Sequence, residues 1–421
     1  MPRFTNLSDW LNWQETLHPQ QIDLGLERVA QVAHRLALLK PACGVITVAG
    51  TNGKGSSVAM LEAILLSDGY RNGCYSSPHL LNYSERIRLG GEDIDDDSLC
   101  AAFAAVDQAR GDTSLSYFEF GTLAALYLFA QSSLDICILE VGLGGRLDAV
   151  NIIDADAALV TAIDIDHRAW LGDDRETIGR EKAGIFRSRR PAVCSDTAPP
   201  ASVRAVAMQL DAHWYAPKDG FTWTKTGSDW SWACKHATHE NLPMPALPGA
   251  HQLQNAAGVL MVLETLASRY PVTRQAITQG LLAVSLAGRC QVLPGPVETI
   301  LDVAHNPASA ATLVTFLESR DIPGRTRVVL GMLSDKDIAA FTDTLAAVTD
   351  DWYLATPGGE RGLSARTLAG VLDSQGLGKH ARQFTSVGDA LGQAEAEAVA
   401  GDRIVVCGSF ITVAEALASQ V

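Results

Sequence analysis

The sequence predicts an α/β protein of two domains, the first with a mostly parallel sheet plus a small antiparallel hairpin region, the second with its own α/β series. Three observations predict this. Uninterrupted apolar runs alternate with helical patterns, as in parallel strands covered on both faces. An aromatic–polar alternation breaks that rhythm once, between residues 211 and 240. The length of 421 residues exceeds what a single core usually organises.

Taken in order, Gly44–Ala49 (GVITVA) reads as a buried strand and Ser56 to about Ser67 as the helix after it. Leu134–Val141 and Ala157–Ile163 read as further buried strands. FTWTKTGSDWSWA, turning at Gly227-Ser228, predicts an antiparallel hairpin. A Pro-rich connection, Leu242–Gly249, precedes a helix from about His251 to Ser268. Strands Val297–Val303, Thr326–Leu330, Trp352–Ala355 and Arg403–Cys407 form the second series. Pro294-Gly295-Pro296 separates domains assigned to residues 1–290 and 297–421.

Composition narrows the function class. Hydrophobic residues at 47% and charged residues at 19% describe a globular chain. A formal charge of −15 argues against coating nucleic acid, and it requires any anionic substrate to be held by a local site. Eight cysteines without a C-x-x-C pair read as reduced, mostly buried thiols. The opening MPRFTNLSDWLNW lacks an apolar core before a cleavage site, and no run approaches the ~20 residues of a membrane helix. The expectation is a cytoplasmic protein with no membrane or nucleic-acid partner.

The strongest chemical signal is Gly50-Thr51-Asn52-Gly53-Lys54-Gly55-Ser56-Ser57, between a strand and a helix. Backbone N–H groups of such a loop and the helix N-terminus surround phosphate oxygens; Lys54 adds a charge and Ser56 a hydroxyl for Mg²⁺. Gly55 interrupts the strict G-x-x-x-x-G-K-[ST] pattern, yet three glycines and a lysine exceed what a plain turn requires. Glu140 ends the strand LDICILE, at the carboxyl edge where ligands gather in parallel sheets. GLGGRLD follows, readable as a weak glycine motif or as a loop needing positive φ. Asp164-Ile165-Asp166-His167 ends the next strand; a histidine beside two acids there is a better ligand candidate than a lone one. By composition Arg180-Glu181-Lys182 reads as a solvated helix end, and His236 and His239 as exposed hairpin residues.

AGTNGKGSS (49–57), YSSPHL (75–80), YFEFGT (117–122), LEVGLGGRLDAVN (139–151), DH (166–167), IGREKAGIFR (178–187) and ILDVAHNP (300–307) occur in that order, with DLGLERV (23–29) before and CGSFITVAE (407–415) after. This set resembles bacterial folylpolyglutamate synthase/dihydrofolate synthase, a branch of the ATP-dependent Mur ligase superfamily. The resemblance implies an N-terminal P-loop ATPase domain, a C-terminal Rossmann-like glutamate ligase domain and an active cleft between them. The implied reaction has ATP phosphorylate a pterin-bearing carboxylate and the amine of L-glutamate displace phosphate. The substrates would be dihydropteroate and reduced folates.

Carried across by position, the resemblance implies that Thr51, Asn52, Gly53, Lys54, Gly55 and Ser56 hold the triphosphate. Asn255, Arg289 and Asp302 contact the nucleotide. Ser77, Glu140 and His167 bind two Mg²⁺ ions, and Lys182 carries a CO₂-derived carbamate beside them. Asp302 and His305 serve catalysis from the second domain, with Lys54, His167 and Lys182 from the first. Ile22, Asp23, Leu24, Phe118, Leu147, Asp148 and Ala149 line the dihydropteroate site. A monomer acting on small molecules is expected. Arg168, Val150 and Cys290 depart from the family pattern without removing a ligand. The competing readings are a P-loop regulatory NTPase, which leaves LDVAHNP unexplained, and a muramyl or monofunctional folylpolyglutamate ligase, which YFEFGT and DLGLERV disfavour by resemblance.

Overall fold

The protein is described by a computed structural model covering residues 2–20 and 22–419. Residues through 246, together with 253–285, form one compact unit; residues 247–252 and 286 onward form a second.

The first unit is organised by β1 (Gly44–Ala49), whose six residues are all buried. Being apolar on both faces, it takes a central place, flanked in parallel by β5 (Ile136–Glu140) and β6 (Ala157–Val160). Beyond β5 lie β2 (Asn72–Tyr75) and the antiparallel β3 (Ile87–Leu89) and β4 (Glu92–Asp93). Beyond β6 lie β7 (Pro191–Cys194), β8 (His213–Pro217), β9 (Gly220–Thr226), β10 (Asp229–Cys234) and β11 (Thr238–Pro243). The order β11-β10-β9-β8-β7-β6-β1-β5-β2-β3-β4 makes one sheet of the described residues.

The expected hairpin turns at Gly227-Ser228, with Thr226 opposite Asp229. It is not a separate piece: β8 pairs with β9 in parallel over two residues and joins the hairpin to the main sheet. His236 is exposed, as expected, but His239 is half-buried and stacks on Trp232 at 5.7 Å. The helix Leu7–Leu17 is anchored by the fully buried Trp10, whose ring is tilted against those of Phe103 and Phe120.

The second unit holds β12 (Gln291–Leu293), β13 (Glu298–Leu301), β14 (Thr326–Leu330), β15 (Asp351–Ala355), β16 (Ala381–Phe384) and β17 (Arg403–Cys407), in the order β12-β13-β17-β14-β15-β16. All pairs are parallel except β12 with β13. Pro294-Gly295-Pro296 is therefore the turn between β12 and β13, inside the stretch of the second unit that runs from 286 onward. Among the described residues no helix is long and apolar enough to cross a membrane. All eight cysteines are free thiols.

Candidate active site

The phosphate loop leaves the carboxyl end of β1. Gly50 takes φ 154° and Gly53 φ 91°. A Cβ on Gly50 would stand 1.8 Å from Thr161 Oγ1, and one on Gly53 2.5 Å from Asn255 Oδ1. Only glycine lets the loop lie this close to the end of β6 and to the helix Gln252–Leu266. Thr51 fixes the turn, its N–H donating to Ala162 O at 2.8 Å and its hydroxyl to Asp164 O at 2.9 Å. The helix Lys54–Ser67 starts at once, so the positive end of its dipole faces the loop. Lys54 Nζ folds back to Gly50 O at 3.0 Å and Thr51 O at 3.3 Å.

The neighbouring strands bring the remaining polar groups to the same sheet edge. Glu140, at the end of β5, is buried, and Ser77 N–H, just beyond β2, donates to its Oε2 at 3.4 Å. Past β6, His167 adopts left-handed φ 52°, ψ 43°, rare for a residue with a Cβ. Such a conformation persists only where the surroundings impose it, and it clusters at functional sites. The Asp166 carboxylate accepts the His167 backbone N–H at 2.8 Å.

Lys182 overturns the solvated-helix-end reading of Arg180-Glu181-Lys182. It is 4% exposed, and its Nζ donates to the same Gly50 carbonyl as Lys54, at 3.0 Å. The helix Arg175–Ala183 that carries it packs against the GLGGR loop. Arg146 N–H donates to Glu181 O at 2.8 Å, and a Cβ on Gly145 would stand 2.8 Å from that carbonyl oxygen. Burial lowers the Lys182 ammonium to about 7, with the Lys54 charge adding to the effect and Asp166 and Asp148 opposing it.

Beside these groups lies a cavity of about 220 Å³. Its walls include every residue assigned to the dihydropteroate site: Ile22, Asp23, Leu24, Phe118, Leu147, Asp148 and Ala149. Ser77 and His167 also line it. Asp148 is buried and accepts N–H groups of Leu143 at 2.8 Å and Val150 at 3.1 Å. Burial nonetheless raises its carboxyl to about 7, against the pull of those bonds and of Lys54.

Sequence reasoning missed Arg86, Ser116, Glu119 and Leu143 in the same wall. Ser116 and Glu119 form the capping box of the helix Tyr117–Gln131, a signal visible as S-x-x-E. Arg28 couples to this wall, its Nε donating to Glu119 Oε2 at 3.1 Å while an Nη meets the Asp23 carboxylate. Arg86 carries no comparable sequence signal.

In the second unit, Arg289, Asp302 and His305 gather at the carboxyl end of β13. Asp302 accepts Cys290 N–H at 2.7 Å and Ala304 N–H at 2.8 Å. The Arg289 guanidinium sits 5.0 Å from the Phe410 ring centre, and the His305 ring 6.2 Å from it.

Among the described residues no three His, Cys, Asp or Glu side chains converge as a metal cluster. The donors present are Glu140, His167 and the Ser77 hydroxyl. They suit a hard cation that takes few protein ligands and fills its shell with water and phosphate oxygens, as Mg²⁺ does. An ammonium at Lys182 does not suit it; an anionic carbamate there would.

Comparison with known proteins agrees with this geometry. The Mur ligase, glutamate ligase domain profile matches residues 288–410. The dihydrofolate synthase/folylpolyglutamate synthase of Escherichia coli is 48% identical over 413 residues, covering 98% of this chain and 94% of that protein. The structure of E. coli FolC with DHPP and ADP superposes with a TM-score of 0.93 at 47% identity, covering 98% of this chain and 97% of that one. A bifunctional folylpolyglutamate synthase/dihydrofolate synthase with Mn, AMPPNP and L-glutamate bound does so with 0.92 at 48% identity, covering 100% and 99%. Identity at this level over nearly the whole length, on a sheet edge that gathers a phosphate loop, a buried acid and a ligand-sized cavity, means that the chain belongs to the dihydrofolate synthase/folylpolyglutamate synthase family.

Proposed function

We propose that this chain joins L-glutamate to dihydropteroate, giving dihydrofolate, and to reduced folates, giving folylpolyglutamates, with ATP cleaved to ADP and phosphate. The observation that carries this reading is the cavity, because its wall chemistry suits one kind of ligand. Ile22, Leu24, Phe118 and Leu147 offer apolar contact to a flat ring, and Asp23, Glu119 and Asp148 offer acceptors for its N–H edge. Ser77 and His167 lie in the same wall, so a carboxylate on the far side of that ligand would reach the phosphoryl-transfer groups. The E. coli relative's name and the DHPP in its FolC structure support the same substrates.

A carboxylate is a poor electrophile, and phosphorylation gives it a leaving group that the glutamate amine displaces. The backbone of Thr51–Ser56 and the Lys54 charge hold the triphosphate; Asn255 contacts the nucleotide beside Gly53. Ser77, Glu140 and His167 would hold two Mg²⁺ ions, which would supply neutralisation of the charge accumulating around the γ-phosphoryl group. Arg289 and Asp302 also contact the nucleotide, and Asp302 and His305 take part in ligation, roles that the resemblance implies. Lys182 acts as a carbamate: with its ammonium lowered to about 7, much of the amine is neutral near that pH and open to CO₂.

Release of ADP with dihydropteroate and with tetrahydrofolate, each with and without glutamate, tests the proposal. Glutamate-dependent ADP formation is expected with both. Activity with tetrahydrofolate alone would reduce the enzyme to a monofunctional ligase, and ADP formation independent of glutamate would favour a regulatory NTPase.

A further inference from the structure

Away from the ligand-bearing sheet edge, two thiols meet at the opposite end of the same strands. Cys43 directly precedes β1, and Cys137 is the second residue of β5. In the parallel register Cys137 stands opposite Val45, two residues beyond Cys43. Their Sγ atoms lie 2.7 Å apart. A disulfide needs about 2.05 Å, so bond formation asks for a shift of about 0.7 Å between side chains already aimed at each other.

The two partners differ in access. Cys43 is partly exposed and Cys137 is buried. The hydrogen bond with Cys137 holds the Cys43 thiol below its ordinary range, outweighing burial; the same contact, with burial, pushes Cys137 up. Cys43 is thus the accessible, more readily ionised member, and Cys137 the shielded one. The other buried thiols, Cys74, Cys194, Cys290 and Cys407, are all raised, first by burial.

We propose that Cys43 and Cys137 are a peroxide-oxidisable dithiol, with Cys43 the attacking and Cys137 the resolving thiol, which closes to an intramolecular disulfide joining the starts of β1 and β5. The Cys43 thiolate attacks a peroxide oxygen, giving a sulfenic acid and one water or alcohol. Cys137 sulfur then attacks the Cys43 sulfur and displaces its oxygen as water. Two thiols lose two protons and two electrons, and the peroxide O–O bond is reduced. The step is independent of the ligase reading.

Hydrogen peroxide applied to the reduced full-length protein, followed by alkylation and intact-mass and peptide analysis, tests this. A loss of two of the eight alkylatable thiols is expected, with one cross-linked peptide pair containing residues 43 and 137, restored by dithiothreitol. Cys43→Ser should abolish the loss and keep ligase activity. Cys137→Ala should instead accumulate a dimedone-reactive sulfenic acid at Cys43. Recovery of all eight thiols after peroxide, a disulfide between other cysteines, or oxidation of Cys43 to a sulfinic acid with Cys137 still free would each overturn the proposal.

Discussion

Lys182 occupies a position that disfavours its own charge. It is buried, shares the Gly50 carbonyl with Lys54, and is lowered from 10.5 to about 7. Because the folded value is depressed, the linked stability is fully present above pH 10.5 and is lost as pH falls towards about 7. Lys182→Met should therefore raise stability in CO₂-free buffer at neutral pH, by on the order of 1–4 kcal/mol. Denaturant melts should show that gain shrinking as pH rises from about 7 towards 10.5. Asp148 runs the opposite way: raised from 3.8 to about 7, it contributes stability below 3.8 that is lost as pH rises through about 7. The same lysine gives a functional prediction. Lys182→Ala should lose most activity and partly regain it with a short-chain carboxylic acid, while Lys182→Arg should stay inactive. An active arginine variant would exclude the carbamate.

The glycine loop after β5 and the helix Arg175–Ala183 act as one element pair. Since a Cβ on Gly145 would meet two backbone carbonyl oxygens at 2.8 and 2.9 Å, Gly145→Ala cannot be relieved by a side-chain rotation. It should destabilise by about 1–3 kcal/mol and lower turnover by moving Lys182. An alanine variant with unchanged melting and turnover would refute the close approach. Legibility also divides by element. β1, β14 and β17 fall on the residues that their apolar runs predict, because strands buried on both faces need no partner to be recognised. β3, β4 and β12 went unseen, being two or three residues long and held by antiparallel neighbours rather than by their own pattern. The same holds in the site. Glycine and charge pattern point to the phosphate loop and Glu140, but Lys182 looked solvated, because spacing along a helix does not reveal what covers it. Arg86 joins the cavity only through tertiary structure.

At the scale of the whole molecule, binding and folding share one equilibrium. ADP with Mg²⁺ should raise the unfolding temperature by mass action, contributing about 2.7 kcal/mol at a hundredfold excess over Kd. Lys54→Ala should retain the unliganded melting temperature and lose most of that shift, along with ~10²-fold or more in turnover. Equal shifts in both proteins would remove Lys54 from the phosphate site. The long sheet of the first unit has a further consequence, for self-association. An open sheet ends in unpaired backbone donors and acceptors that can template another chain. Here one margin is β4, two residues long and wholly acidic, Glu92-Asp93. The other is β11, where exposed Glu240 and a terminal proline interrupt any continuous apolar ribbon. Both margins are poor templates, and the formal charge of −15 adds repulsion between copies. Replacing Glu92 and Asp93 with valine should leave turnover intact and yet produce concentration-dependent light scattering on mild heating, above that of the parent protein under the same conditions.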